Sequence, residues 1–436
     1  MGDRTEPERL ARTRSFLSGS TGTAAVAALI SLGVFAILRH FQAFSMVDMI
    51  VYRAEGQAVV SGHDLYTMRV PVWDLAATYP PFAAMLFVPS TWFDISALRA
   101  LVTLANVGLL GLLGWYSFTL AGWPRRRFRP AATVLVAGFG VWLEPVFTTI
   151  QYGQVNLGIA CLVLYDLTRP DQHRGKGIAI GIAAGIKLTP GLFAVYLLLT
   201  GRVRAAMVAG GTFLATALIG VVALPGASWG FWTKYVWDSS RVGVTELVDD
   251  QSMRGAVARL LSKHAPGLIA TLASGLCLVL GLTIAVLAAR ATREIRRAEA
   301  WGVVCTAITA LLLSPISWTH HWIWCVPLLV LLAAEVSQEL RLPRGIRRLR
   351  WRLVLAGTAL VFLSYAMWLV PQAGGLGVPW YWQLPSSVYP VTGVVVLAVT
   401  GLRLLRIHRP SLARRIRSES GPADLSAQDA SLTRQS

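Results

Sequence analysis

Charge and cysteine are both scarce in this chain, and several familiar signatures are missing. Only 14% of its 436 residues are Asp, Glu, Lys or Arg, and 22 acidic residues stand against 40 basic ones. So little charge does not suit a soluble enzyme. The four cysteines, Cys161, Cys277, Cys305 and Cys325, all lie inside apolar runs and form no CxxC pair. That spacing supports neither a zinc site nor a disulfide framework. Phosphate loops, Rossmann glycines and HExxH are absent, and no internal repeat or soluble domain is visible.

What is present is apolar sequence. Hydrophobic residues make up 55% of the chain and the mean hydropathy is +0.56. Spans need roughly 17–25 apolar residues each, and about a dozen candidates occur. The formal charge of +18 is gathered in short blocks between them, such as 125–129, 290–297 and 341–352. Cytoplasmic loops carry their charge in this way, so nucleic acid is excluded as its explanation and as a partner. The expectation is an all-α polytopic membrane protein of about 12 transmembrane helices, with outer-face loops and interfacial helices. Residues 1–20 are expected as a cytoplasmic segment before an uncleaved first span, 21–405 as one membrane-embedded domain, and 406–436 as a cytoplasmic, disordered tail.

Two segments are irregular. Residues 79–93 are apolar but too short and too proline-broken to cross, and are expected to lie along the interface or to dip into the membrane. Residues 177–199 lie between two basic flanks and are too few for two full crossings at 1.5 Å per residue. A broken hairpin with Lys187-Leu-Thr-Pro190 at its tip fits them, as proline stops the first half and freed backbone is tolerated at a cavity. One ordinary span is the alternative.

With basic loops placed inside, an unusual polar set remains on the other side, much of it in the 41–82 stretch after the first span. It comprises Asp48, Arg53, Asp64, Tyr66, Tyr79, Gln151, Gln154, Asn156, Asp249, Asp250, Gln251, His320 and His321, with Lys187 at the hairpin tip. Ionisable groups near membrane depth default to function or to pairing with one another. Each also has a plainer reading. Asp48 can cap the helix after it, Lys187 can ion-pair, and the glutamines and asparagine can satisfy backbone. The histidines and Trp318 can anchor the interface.

The motifs DMIVYRAEGQAVVSGHDLY…TYPPFAA, QYGQVN, GIKLTPGL, DDQSMRG and SPISWTHHW occur in this order. From Ser45 to about Trp324 the chain resembles the polyprenyl-phosphate-mannose-dependent α-mannosyltransferases of mycobacteria and related actinobacteria, members of the GT-C class. Within them it is most similar to the α-1,2 enzymes of phosphatidylinositol mannosides. The resemblance implies an acidic catalytic residue in the first outer loop, here at Asp48. It also implies a lipid monophosphate sugar donor entering from the bilayer, and a glycolipid or mannoside acceptor. The site is then on the extracytoplasmic side of the plasma (inner) membrane. Asp250 departs from the pattern, which leads one to expect asparagine there.

Such a transfer needs a base for the acceptor hydroxyl, a cation for the leaving phosphate and a shaped sugar site. One carboxylate suffices for a single inverting displacement, and general-base help is worth about 10²–10⁴-fold. Asp48 is the expected base, and Lys187, His320, His321 and Arg53 are the candidates for the donor phosphate. Asp64, Tyr66, Tyr79, Gln151, Gln154, Asn156, Asp250, Gln251 and Trp318 are the candidates for sugar or acceptor binding. Neither a metal nor another cofactor is expected, because adjacent histidines without nearby carboxylates or cysteines make a poor ligand set. Residue chemistry leaves arabinofuranosyl transfer from a prenyl phosphate, or lipid or sugar transport, as alternatives.

Overall fold

The computed structural model describes residues 6–42, 44–71, 73–264, 267–340, 350–371 and 375–419. Eighteen α-helices account for most of them. In chain order they are α1 Glu6–Gln42, α2 Val47–Ser61, α3 Pro81–Phe87, α4 Ile95–Ala121, α5 Arg129–Phe139, α6 Glu144–Tyr152, α7 Asn156–Leu167, α8 Ile178–Ile186 and α9 Gly191–Leu199. Then follow α10 Val203–Ala223, α11 Pro225–Thr233, α12 Met253–Leu261, α13 Gly267–Arg290, α14 Ala298–Leu313, α15 Cys325–Glu339, α16 Arg350–Leu363, α17 Gln383–Ser386 and α18 Val388–Glu419. The paired strands among the described residues are a two-residue ribbon, Arg69–Val70 against Leu75–Ala76.

Six helical stretches are long and apolar enough to cross a bilayer: 21–42, 95–121, 203–223, 267–290, 319–339 and 388–407. A seventh candidate is bent by 78° between Trp142 and Glu144. The chain is therefore an all-α membrane protein, and the expected count of about twelve is not reached by length and composition. The shortfall has a physical cause. Proline or glycine breaks 129–152 and 177–199, 353–370 breaks at Tyr365 with φ +52°, and α7 and α14 are each shorter than a hydrocarbon core is thick. Both are sunk into the protein core, where hydrophobicity reads the same as exposure to lipid. The proline-broken 79–93 segment forms α3 and a following 3-10 turn. Two boundaries also differ from expectation. Helix α1 already begins at Glu6, and α18 continues to Glu419, so the first part of the expected tail is helical. Residues 420–436 lie outside the described residues.

Leucines already in lipid gain little by packing together, so helices here meet through small residues. Gly177, Gly181 and Gly185 of the α8 stretch lie directly against residues 205, 212 and 216 of α10, with no space for a Cβ. Helix α8 thus runs parallel to α10. Helix α9 leads into the start of α10 through a tight turn closed by the Arg202 N–H on the Leu197 carbonyl, and runs the other way. Helices α8 and α9 therefore form a hairpin. Its turn is made by an extended Lys187, at φ −147° and ψ 128°, and by Pro190.

Candidate functional site

A cleft of about 230 Å³ opens between the start of α2, the 75–80 segment, the hairpin tip, the 231–242 segment and the loop 314–321. Each wall has a local reason. Helix α6 ends at Gly153 in the left-handed region, φ +71°, where a Cβ would strike Met49. That turn seats the end of α6 on α2, with the Met46 N–H on the Gln151 carbonyl at 2.9 Å. Gln154 is thereby brought to Asp48. On the opposite side the Thr149 hydroxyl and the Asn156 amide both donate to the His320 carbonyl at 3.1 Å, fixing the loop that carries His321.

Asp48 sits in the first turn of α2, whose N-cap is Met46 with no side-chain cap bond. The plainer reading of Asp48 as a cap is therefore not what the structure shows. One of its carboxylate oxygens, Oδ2, is buried and accepts no hydrogen bond. Burial pushes its carboxyl up to about 6, and the Gln154 hydrogen bond and the Lys187 charge pull the other way. Gln154 is itself held by Tyr52, whose hydroxyl donates to Oε1 at 2.8 Å, and the Tyr52 and Tyr79 hydroxyls bond at 3.0 Å.

Lys187 donates to Asn156 Oδ1 at 3.2 Å and to His321 Nε2 at 2.9 Å. Its ammonium also lies 5.7 Å from the centre of the Tyr79 ring, within cation–π range. An ammonium has three N–H groups, so one remains for an anion. Asp48, Tyr79, Gln154, Lys187, Trp318 and His321 all line the cleft. Trp318 is packed against Gly243, where φ is +148° and a Cβ would meet the indole ring.

Other expected site residues are placed elsewhere. Arg53 points to the Phe93 carbonyl at 3.3 Å, and Asp64 closes a turn on the Tyr66 N–H at 2.9 Å. Tyr66 is buried behind the wall, with its hydroxyl on the Tyr79 carbonyl at 2.8 Å. Gln151 contributes its backbone carbonyl to Met46, and Asn156 reaches the cleft through Lys187. The His320 ring packs on Tyr152 and His321, away from the cleft lining.

Asp250 and Gln251 are buried in a fully bonded scaffold. Asp250 Oδ1 accepts the Ser252 and Ser317 N–H groups at 3.0 and 2.8 Å, and Oδ2 accepts the Ser252 hydroxyl at 3.0 Å. Gln251 ties Val248, Ser386 and Tyr389 together, and Arg259 clamps the Leu247 and Asp250 carbonyls. Among the described residues no group of three His, Cys, Asp or Glu side chains is placed to hold a metal ion.

Two further charged residues were not among the expected site residues. Glu55, two turns along α2 from Asp48, is completely buried, and burial raises its carboxyl to about 8. Arg241 lines the cleft from the 235–242 segment. A lone arginine beside the WGFWTKYVWDSS stretch, on the side assigned few basic residues, was the available signal.

The glycosyltransferase family 87 model matches residues 77–315. The chain is 30% identical over 382 residues to a polyprenol-phosphate-mannose-dependent α-(1-2)-phosphatidylinositol mannoside mannosyltransferase of Mycobacterium tuberculosis, covering 82% of this chain and 84% of that one. It is 33% identical over 339 residues to a polyprenol-phosphate-mannose-dependent α-(1-2)-phosphatidylinositol pentamannoside mannosyltransferase of the same species, covering 76% and 75%. A Mycolicibacterium smegmatis relative with the same printed activity as the first is 30% identical over 379 residues, covering 82% and 83%. No solved structure matches significantly.

Proposed function

Because the chain belongs to glycosyltransferase family 87, we propose that it transfers mannose from a polyprenyl-phosphate-mannose donor to a mannoside acceptor, forming an α-1,2 linkage on a phosphatidylinositol mannoside or related lipoglycan. One observation carries the reading: Asp48, whose carboxylate keeps an oxygen without a partner, lines the same cleft as Lys187, whose ammonium makes two hydrogen bonds and has a third N–H to give. Asp48 takes the proton of the acceptor hydroxyl as that oxygen attacks the anomeric carbon. The bond from that carbon to the donor phosphate breaks, and the charge left on the prenyl phosphate is met by Lys187 and the His321 bonded to it. Tyr79, Gln154 and Trp318 hold the sugar in line. A single displacement on a β-linked donor gives an α-mannoside.

The cleft faces outward in this reading, with the basic 125–129 and 290–297 loops inside and the shorter apolar helices completing a bundle of about twelve crossings. A transfer assay tests the activity: membranes holding the protein, radiolabelled prenyl-phosphate-mannose, and short mannosides or phosphatidylinositol mannosides as acceptors. Label should pass to a mannoside and become sensitive to an α-1,2-mannosidase. No transfer from this donor to any of these acceptors would sink the reading. The side is tested by cysteine labelling of intact cells, where Ser61→Cys should react and Arg126→Cys should react only after permeabilisation. The reverse pattern would place the cleft in the cytoplasm.

A further inference from the structure

The cleft holds a second cation that the transfer step does not use. Arg241 Nη2 donates to the Tyr66 carbonyl at 2.7 Å and to the Ala77 carbonyl at 3.3 Å. Its guanidinium lies 4.4 Å from the centre of the Tyr235 ring and 5.9 Å from that of Tyr66. These contacts fix its orientation and use one of its three nitrogens. Its Nε is buried and has no partner. Among the described residues no carboxylate lies within ion-pairing distance of it. Asp238, three residues away and also at the cleft, turns Oδ1 to the Ser240 N–H at 3.2 Å and to the Ser240 hydroxyl.

A guanidinium is always charged, and Arg241 is half-buried with its Nε closed off from water and no counter-ion beside it, which is unfavourable. Its planar fork matches the geometry of a phosphate. Lys187 stands in a different wall, on the hairpin tip, where it is bonded to His321 and is electrostatically coupled to Asp48. Lys187 meets the leaving phosphate in the transfer step, and nothing in that step requires Arg241.

We propose that Arg241 is a second, phosphate-recognising cation of the cleft, and determines which phosphate-bearing lipid the cleft retains. The inference rests on the transfer reading above. Two reactants carry phosphate chemistry: the donor has a phosphate monoester of a prenyl alcohol linked to the sugar, and a phosphatidylinositol-based acceptor has a phosphodiester.

The test measures binding of two probes to purified protein in detergent, polyprenyl phosphate without sugar and a phosphatidylinositol mannoside. Wild type is compared with Arg241→Gln and Arg241→Lys after thermal unfolding has shown each to be folded. Transfer to a phosphate-free mannoside is measured alongside. Arg241→Gln should weaken binding of one probe by about 10-fold or more, the size expected when a charged hydrogen bond is lost. Arg241→Lys, which keeps charge but not the fork, should recover part of it. If polyprenyl phosphate is the probe affected, KM for the donor should rise with every acceptor, and the donor supplies the phosphate. If the phosphatidylinositol mannoside is affected, KM should rise for that acceptor only, and the acceptor supplies it. In both cases kcat should change less than KM.

Binding of both probes within about 2-fold of wild type in folded Arg241→Gln would overturn the inference while leaving the transfer reading intact. Should Arg241→Gln not fold, Arg241→Lys decides, and unchanged binding of both probes overturns the inference. Wild-type protein that binds neither probe overturns the transfer reading and this inference together.

Discussion

Asp48, half-buried at the cleft, and Asp250, fully buried, both stand in conspicuous motifs, and desolvation raises both carboxyls, to about 6 and about 7. By charge and by protonation they look alike. Their hydrogen bonds separate them. Asp250 accepts two backbone N–H groups and a hydroxyl, tying the 249–252 turn to the 314–321 loop. Asp48 keeps one oxygen unbonded beside an open cleft. The comparison teaches that a carboxylate with all its partners inside the protein is scaffold, and that one left short is available to a substrate only where it also lines a cleft, as Asp48 does and the equally short Glu55 does not. A raised pKa alone does not mark the reactive one.

The largest effect should come from Asp48→Asn, which removes the proton acceptor and keeps the size. Transfer should fall by about 10³-fold, within the range of general-base catalysis. The variant should unfold at the same temperature or higher, as a neutral amide avoids the desolvation of a buried charge. Near-normal transfer would return Asp48 to the scaffold and erase the contrast. Lys187→Ala should follow, with kcat lower by about 10²-fold, the size seen when a group stabilising developing negative charge is lost. Lys187→Arg should recover a fraction. Full activity in the alanine variant at normal expression would make Lys187 a structural partner of Asn156 and His321.

The pH profile gives a smaller effect. A base held at about 6 is protonated below that pH and ionised above it. Transfer should therefore fall about tenfold per unit below pH 6, hold level to about pH 8, and fall again above it as the Lys187 ammonium, lowered to about 8 by burial, loses its proton. Asp48→Asn should lack the acid limb, and an acid limb that persists unchanged in that variant would assign it to another group. Asp250 supplies the opposite signature. Asp250→Ala should lower stability by about 2–4 kcal/mol, because buried N–H groups lose their acceptor. That loss would be read as earlier thermal unfolding, with activity lost in step with folded protein. Asp250→Asn should have the least effect, since its Oδ1 still accepts both backbone N–H groups. More than about half of transfer should remain. A 10²-fold loss in folded Asp250→Asn would move Asp250 into the chemistry.

The long helices α1, α4, α10 and α13 were legible because a lipid-facing segment must be apolar along its whole length. Helices α7 and α14 are just as apolar, and neighbouring helices surround them. Apolar composition does not distinguish the two solvents. In the site, Asp48, Lys187, Gln154, Tyr79, His321 and Trp318 stood out as polar or aromatic groups next to apolar runs. Asp250 and Gln251 stood out equally and proved to be fastened into the scaffold. Their partners at Ser317, Ser386 and Tyr389 are remote in sequence and follow only from the fold. Arg241 was passed over because its immediate neighbours read as an ordinary polar loop.

The contact between Gly243 and the Trp318 ring has a consequence for recombining this enzyme with its relatives. The segment carrying Arg241 and the loop carrying His321 are interlocked at that point, with no space for one methyl group. They constitute one exchangeable unit although some seventy residues of chain separate them. A chimera that imports the first from a relative with a different acceptor, and keeps the second, sets an unfamiliar backbone against the resident indole. Transplants aimed at altering acceptor choice should therefore carry 235–243 and 314–321 together, and libraries that shuffle them independently should be dominated by misassembled protein.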